Sequence, residues 1–229
     1  SYGELTINPD GSFSFDVNSD HPEIVALALG QTLDVVVTYQ ITDTAGLTDT
    51  AQLVITVTGA NNVPLANNGV ALATEAGGVN NTTPGVNPTD NISAEDPDGD
   101  PLTVTAIRTG AETASGTSGI VGQALQGLYG QLTMNEDGSY SYVVDNSLAA
   151  VQALRQPSDT LIERFTYTVT DPGGLSDSAE IIVVIRGQND NPVADNDTAT
   201  AIEAGGVNNA TGGVNPVGNV LDNDTDVDS

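Results

Sequence analysis

Asp96, Asp98 and Asp100 alternate with Pro97 and Gly99, and no other stretch of this 229-residue sequence is better suited to chemistry. Alternating aspartates around a glycine turn side-chain oxygens inward, which suits a hard cation: Ca²⁺ takes about six to eight oxygen ligands in flexible geometry. The same run is also a plausible solvated acidic turn, and one short motif does not separate the two readings. The spacing recurs, however, at Asp224, Asp226 and Asp228, 128 positions further on. Nucleophile and general-base options are thin, with no cysteine and a single histidine. His21 precedes a proline at the start of a short helical pattern and has no counterpart in the second copy, so it reads as a surface or capping residue.

The recurrence extends well beyond the aspartates. Residues 2–12 (YGELTINPDGS) return at 129–139 (YGQLTMNEDGS), and residues 75–81 (EAGGVNN) return unchanged at 203–209. A repeat is to be recognised before any fold is named. Residues 1–60 then form the C-terminal half of one repeat, 61–66 a linker and 67–188 a complete repeat. Residues 189–194 form a second linker, and 195–229 the N-terminal part of a third repeat. A sequence out of phase with its own repeat reads as a piece of a longer array, and no signal peptide opens it.

Composition excludes several classes. Four Lys+Arg stand against 31 Asp+Glu, for a formal net charge of −27. Nucleic acid is excluded as a partner, because binding it depends on cations that neutralise phosphates. An anionic membrane surface is disfavoured for the same reason, and no apolar run approaches the roughly 20 residues of a spanning helix. The absence of cysteine excludes a disulfide scaffold and thiolate zinc. Clean apolar alternation in several segments argues for folded domains over disorder.

In chain order, residues 3–7 and 12–17 alternate around the turn Asn8-Pro9-Asp10-Gly11 and predict a hairpin. Ile24, Leu27 and Ala28 predict a short helix within 20–29, as do Leu148, Val151 and Leu154 in the second copy. Residues 33–42 and 47–58 predict strands, with Ala51, Leu53, Ile55 and Val57 on one face; Ala179, Ile181, Val183 and Ile185 repeat that face. The loops between these strands carry Asp43 and Asp49 in one copy and Asp171 and Asp177 in the other. Turn chemistry is the better reading for Asp49 and Asp177, while turn and metal readings stand level for Asp43 and Asp171. Residues 59–64 and 187–192 carry Asn/Asp clusters and a proline, which suits linkers that also bear ligands. Short strands are expected at 69–73, 101–107 and 199–202, and an irregular loop at 108–119. Seven or eight short strands per repeat with one minor helix make the fold class all-β: tandem Greek-key sandwiches of the immunoglobulin or cadherin kind.

Several motifs in one order carry a resemblance: YGQLT through DGSY (129–140), FTYTVTD (165–171), GQNDNPVA (187–194) and GNVLDNDTD (218–226). In these, the chain resembles the VCBS-type, cadherin-like tandem repeats of large bacterial surface proteins, including RTX adhesins exported by type I secretion. The resemblance implies extracellular, Ca²⁺-stiffened sandwiches between a cell anchor and an adhesive region. It implies metal ligation by Asn189 and Asp190 in one linker and Asn61 and Asn62 in the other. It further implies ligation by Asp224 and Asp226 at the head of the following repeat, and by Glu75 and Glu203 after the first strand. Asn62 stands where the second linker has Asp190, so the first junction is expected to hold its ion less tightly.

The expected function is a Ca²⁺-dependent stalk segment whose partners are neighbouring repeats, with surface polysaccharide or another copy of the protein as candidates. A Ca²⁺-dependent glycan-binding module is the alternative, weakened by the scarcity of aromatic platforms. An enzyme is not expected, because equal carboxylate groups in successive repeats point to structure over a unique cleft.

Overall fold

The computed structural model describes residues 1–78 and 83–228; positions 79–81 of the repeated EAGGVNN segment fall outside the described residues. Strands β1 (Gly3–Ile7) and β2 (Phe13–Val17) form the first hairpin, and helix α1 (Pro22–Val25) follows as a single turn. His21 is the N-cap of that turn: its Nδ1 accepts the Glu23 N–H at 3.3 Å, and its ring lies edge-on to Tyr2 at 4.8 Å. The capping role follows from the fixed backbone of Pro22, which presets the first helical position. Strands β3 (Thr32–Thr42) and β4 (Thr48–Thr58) form the long second hairpin.

The middle of the chain builds a complete sandwich. One sheet has the order β6 (Gly69–Thr74), β14 (Ser176–Arg186), β13 (Thr160–Thr170) and β9 (Thr103–Thr109). The other has the order β10 (Ala124–Gln126), β11 (Gly130–Met134), β12 (Ser139–Val144) and β7 (Thr89–Asn91). A small third pair, β5 (Leu65–Asn67) with β8 (Ser93–Glu95), closes one end, and helix α2 (Ala149–Gln152) connects β12 to β13. β6 runs parallel to β14, whereas the other pairs are antiparallel. Alternation along β13 and β14 points Phe165, Tyr167, Val169, Ile181, Val183 and Ile185 into the core, all nearly inaccessible. Tyr142 meets Phe165 edge-to-face at 6.1 Å, and its hydroxyl donates to the buried Glu163 at 2.7 Å. Tyr167 donates to the Asn67 carbonyl at 2.7 Å and so pins the β5–β8 pair to the core.

Several boundaries differ from expectation. β9 begins two residues later than the sequence pattern suggests, with Thr103 opposite Thr170, and runs on to Thr109, which pairs with Phe165; its register with β13 shifts between Thr168 and Val169. The strand expected at 199–202 does not form; only an isolated bridge joins Ile202 to Val214. The physical reason is pairing: β6, its counterpart, is held by β14, and residues 195–228 contain no equivalent of β14. Asp177, expected to be plain turn chemistry, instead accepts the Ala66 N–H at 2.8 Å and anchors β5.

Candidate metal centres at the two linkers

The first linker leaves β4 and enters β5 beside the aspartate turn that follows β8. Gly99 adopts φ 74°, which lets the Gly99 N–H close on the Asp96 carbonyl at 3.0 Å. Within that turn Oδ1 of Asp96 accepts the Asp98 N–H at 2.8 Å. The other oxygen, Asp96 Oδ2, is buried and has no hydrogen-bond partner. Carboxylate oxygens of Asp96, Asp98 and Asp100 lie within 4.8 Å of one another. Asp98 accepts from Asn62 twice, at 2.7 Å from the backbone N–H and 2.6 Å from Nδ2. The same Asn62 Nδ2 donates to the Val25 carbonyl at 2.9 Å, so one side chain ties α1 of the preceding half repeat to the aspartate turn.

Asp171, at the β13–β14 turn, brings a fourth carboxylate. Its Oδ2 accepts from Asn61 Nδ2 at 2.8 Å, leaving Asn61 Oδ1 buried without a partner. Gly173 lies under this amide, where a Cβ would stand 2.5 Å from the Asn61 side chain. Burial opposes ionisation of Asp171, but the Asn61 amide and the N–H groups of Leu175, Gly174 and Gly173 outweigh it and hold the carboxyl below its usual value. Asp100 is pushed up, by burial first and then by the charges of Asp96, Asp98 and Asp171.

The second linker gathers Glu75, Asp190, Asp226 and Asp228. Glu75 and Asp190 are 0% and 1% exposed. Glu75 Oε1 accepts the Gln188 N–H at 2.9 Å, and Gln152 Nε2 approaches Oε2 at 3.4 Å. Asp190 Oδ1 accepts the Gly78 N–H, and a Cβ at Gly78 would stand 2.6 Å from Gln152 Oε1 and 3.0 Å from Asp190 Oδ2, displacing side chains of the group. The Asp190 N–H donates to Asp228 Oδ2 at 2.7 Å, and the Asp228 N–H donates to Asp226 Oδ1 at 2.9 Å. Asp190 Oδ2 and Asp228 Oδ1 are both buried without a partner. Burial raises the Glu75 carboxyl to about 7, with repulsion from Asp190 and Asp228 adding to it.

Four buried side-chain polar atoms lack a partner among the described residues. All are acceptor oxygens, and they divide evenly between the two linkers. Buried acceptors without donors are rare and call for an explanation. No arginine is hydrogen-bonded to either group: the one ion pair among the described residues, Arg164 with Glu180 at 2.5 Å, lies on the β13–β14 sheet. Each linker therefore concentrates negative charge and offers bare oxygen, the donor set of a hard divalent cation.

The remaining sequence candidates stand apart. Asp43 is exposed and accepts the Ala45 and Leu47 N–H groups at 2.8 and 2.9 Å, as a turn aspartate does. Glu203 is exposed. Asn189 is exposed and donates to the Asp190 carbonyl at 2.7 Å, and Asp224 Oδ1 accepts the Asp195 N–H at 2.9 Å. Two contributors escaped the sequence reading, Gln152 and Gly78. Gln152 carried a weak signal, since it is polar where the first copy has the apolar Val25.

Two family matches agree with this architecture. Residues 1–56 match the bacterial Ig domain family, and residues 61–187 match the bacterial cadherin-like domain family. No curated protein matches the chain. Solved structures with a similar arrangement include protocadherin gammaB7 EC3-6, described as a cis-dimer structure, at 14% identity and TM-score 0.44, covering 87% of this chain and 43% of that one. Protocadherin gamma B2 extracellular cadherin domains 1-5 matches at 14% identity and TM-score 0.42, covering 83% and 32%. Mouse clustered PcdhgC3 EC1-3 matches at 14% identity and TM-score 0.37, covering 82% and 53%. The chain thus spans between 32% and 53% of the length of these cadherin chains. None of the helices among the described residues is long and apolar enough to cross a membrane. With a complete two-sheet sandwich at 65–186 and a family match over more than half its length, the chain belongs to the bacterial cadherin-like domain family.

Proposed function

We propose that the two linkers are Ca²⁺ sites and that the chain is a rigidified stalk segment of a bacterial surface adhesin of the VCBS or RTX type. The observation that carries this reading is the set of four buried, partnerless oxygens, two at each linker. At the first linker Asn61, Asp96, Asp98, Asp100 and Asp171 would hold the ion. At the second, Glu75, Asp190, Asp226 and Asp228 would do so. The ion supplies the positive charge that each group lacks. The protein supplies oxygens from both sides of a short linker, so that ligation replaces repulsion with attraction and fixes the angle between consecutive repeats. The division into a half repeat (1–60), a full repeat (67–188) and an opening third (195–229) follows from this reading, as does an extracellular setting, where Ca²⁺ is plentiful.

Calorimetry tests the reading. Ca²⁺ is expected to bind at about 10⁻⁵ to 10⁻³ M, the range of extracellular modules. Mg²⁺ is expected to respond far less, because it demands near-ideal octahedral geometry. No heat with Ca²⁺, or equal responses to the two ions, would overturn it.

A further inference from the structure

The middle sandwich guards one edge of its β6-β14-β13-β9 sheet and leaves the other open. Beyond β9 the chain folds back over the edge. The Thr109 N–H donates to the Thr117 carbonyl at 3.0 Å, and the Gly119 N–H donates to the Ile107 carbonyl at 2.9 Å. At β6 only the last residue is covered, where Thr74 and Val86 exchange backbone hydrogen bonds at 3.0 and 2.8 Å. Backbone groups alternate in direction along a strand, and the Glu75 N–H reaches the Arg186 carbonyl of β14. Ala71 and Ala73 therefore face β14, while the N–H and C=O groups of Val70 and Leu72 face away from it. No turn, loop or side chain among the described residues bonds to them.

Val70 and Leu72 also turn their side chains outward. They are 60% and 48% exposed and lie beside Ile182 and Val184; Ile162, 55% exposed, lies beside Val184 in turn. Together these side chains make one apolar patch that runs inward from the edge strand. The repeat does not require it. In residues 1–60 the pair equivalent to Ile162 and Val184 is Asp34 and Thr56, and the Thr56 hydroxyl donates to Asp34 at 2.6 Å. Thr198 and Thr200 stand in the positions of Val70 and Leu72. An apolar edge strand without lysine, proline or a bulge is a template for another strand.

Charge selects the occupant. The chain has no lysine and four arginines, and Arg108, Arg164 and Arg186 all belong to this sheet. In a molecule of net charge −27 it is where another such molecule meets the least repulsion. We propose that two molecules of this chain pair through β6, antiparallel about a two-fold axis at Ala71, so that one sheet runs through both. Val70 then exchanges both backbone hydrogen bonds with Leu72 of the partner subunit, and their side chains meet on the outer face. The two-fold also sets Arg186, which is level with Thr74, at the height of Glu180 of the partner subunit, whereas a parallel pairing would align like charges. The ladder is limited to residues 69–73, because Val86 covers Thr74 and the chain turns off to β5 at Asn68. So short a contact falls below the roughly 1,200 Å² of a standard interface, which places the association in the weak class, at about 10⁻⁴ M. It does not depend on the metal reading.

Sedimentation equilibrium on the full chain tests this, in Ca²⁺ and in chelator. The wild-type chain is expected to move from 23.3 kDa toward twice that mass, and no further, as concentration approaches about 1 mM. Leu72→Lys, at an exposed outward position, should weaken the association about tenfold or more while circular dichroism shows the fold retained. Cysteine cross-linking reads the register, since the chain has no cysteine of its own. Val70→Cys mixed with Leu72→Cys should oxidise to a disulfide between unlike chains, because residues opposite each other in an antiparallel hydrogen-bonded pair have Cα atoms about 5.5 Å apart. Either cysteine variant alone should cross-link far less. A wild-type chain that is monomeric in both media overturns the proposal and leaves the edge to a strand of another protein. Growth past the dimer, association that survives Leu72→Lys, or equal cross-linking in the mixture and in each variant alone also overturns it.

Discussion

Replacing Glu75 by glutamine should have opposite effects with and without calcium. The Glu75 carboxyl is raised from 4.5 to about 7 by burial and by Asp190 and Asp228. Between those values the native protein holds a proton that the unfolded chain has released. Stability without metal is thus full below about pH 4.5 and is lost as pH rises through about 7. The gap corresponds to about 3 kcal/mol at pH 8. Glu75→Gln removes the charge and keeps an acceptor for the Gln188 N–H, but it places an amide nitrogen opposite Gln152 Nε2, at a cost of about 1 kcal/mol. In chelator at pH 8 the variant should gain about 2 kcal/mol, or about 5–10 °C in Tm for a domain of this size. In Ca²⁺ the same change deletes a charged ligand, which should weaken the second site on the order of tenfold, about 1.4 kcal/mol. Thermal melts in Ca²⁺ and in chelator at pH 5 and pH 8 read all four corners. A shift of one sign and size in both media would refute the reasoning, as would wild-type apo stability that does not fall between pH 5 and pH 8.

Asp98→Ala removes the two carboxylate oxygens that accept from Asn62, leaving only the Val25 carbonyl, and should cost about 1–2 kcal/mol in chelator; in Ca²⁺ the loss should be larger, with calorimetry showing one site weakened and the second-linker site retained. Glu163→Ala strands the Tyr142 hydroxyl and the Leu128 N–H inside the middle sandwich, so urea unfolding should show a loss of about 3 kcal/mol that is equal with and without Ca²⁺. Gly11 and Gly138 both sit at positive φ, 86° and 84°, but a Cβ at Gly138 meets Ile92 Cγ1 at 2.7 Å and one at Gly11 meets nothing within 4 Å. Alanine should therefore cost about 1–2 kcal/mol at Gly11 and about 1–3 kcal/mol more at Gly138, measured by denaturant titration.

The long hairpins were legible because their periodicity spans 11 residues per strand: the face of Ala179, Ile181, Val183 and Ile185 is the buried face. The three-residue strands β5, β7, β8 and β10 were not separately legible, since three residues carry no period and their pairing depends on distant partners such as Asp177 and Tyr167. The Asp96 turn was readable from its spacing and glycine. What spacing could not give was the meeting of Glu75 with Asp190 and Asp228, which requires β6 to run beside β14. Nor could it show that Asn62 turns its amide nitrogen to Asp98, a donor in the place where Asp190 leaves an oxygen bare. The expected strand at 199–202 failed for a related reason, because a strand pattern becomes a strand only where an edge receives it.

The central claim is that calcium at the linkers fixes consecutive repeats, and a distance between two spin labels tests it most directly. The chain has no cysteine, so Thr38→Cys and Ile162→Cys place one label on β3 and one on β13, on either side of the first linker. Dilution of the labelled chain with unlabelled protein keeps the measurement on single molecules. Pulsed dipolar spectroscopy is expected to give a narrow distance distribution in Ca²⁺ and a broad one in chelator, with the middle sandwich folded in both. Equal widths in the two media, or unfolding of the middle sandwich as calcium is withdrawn, would contradict the account.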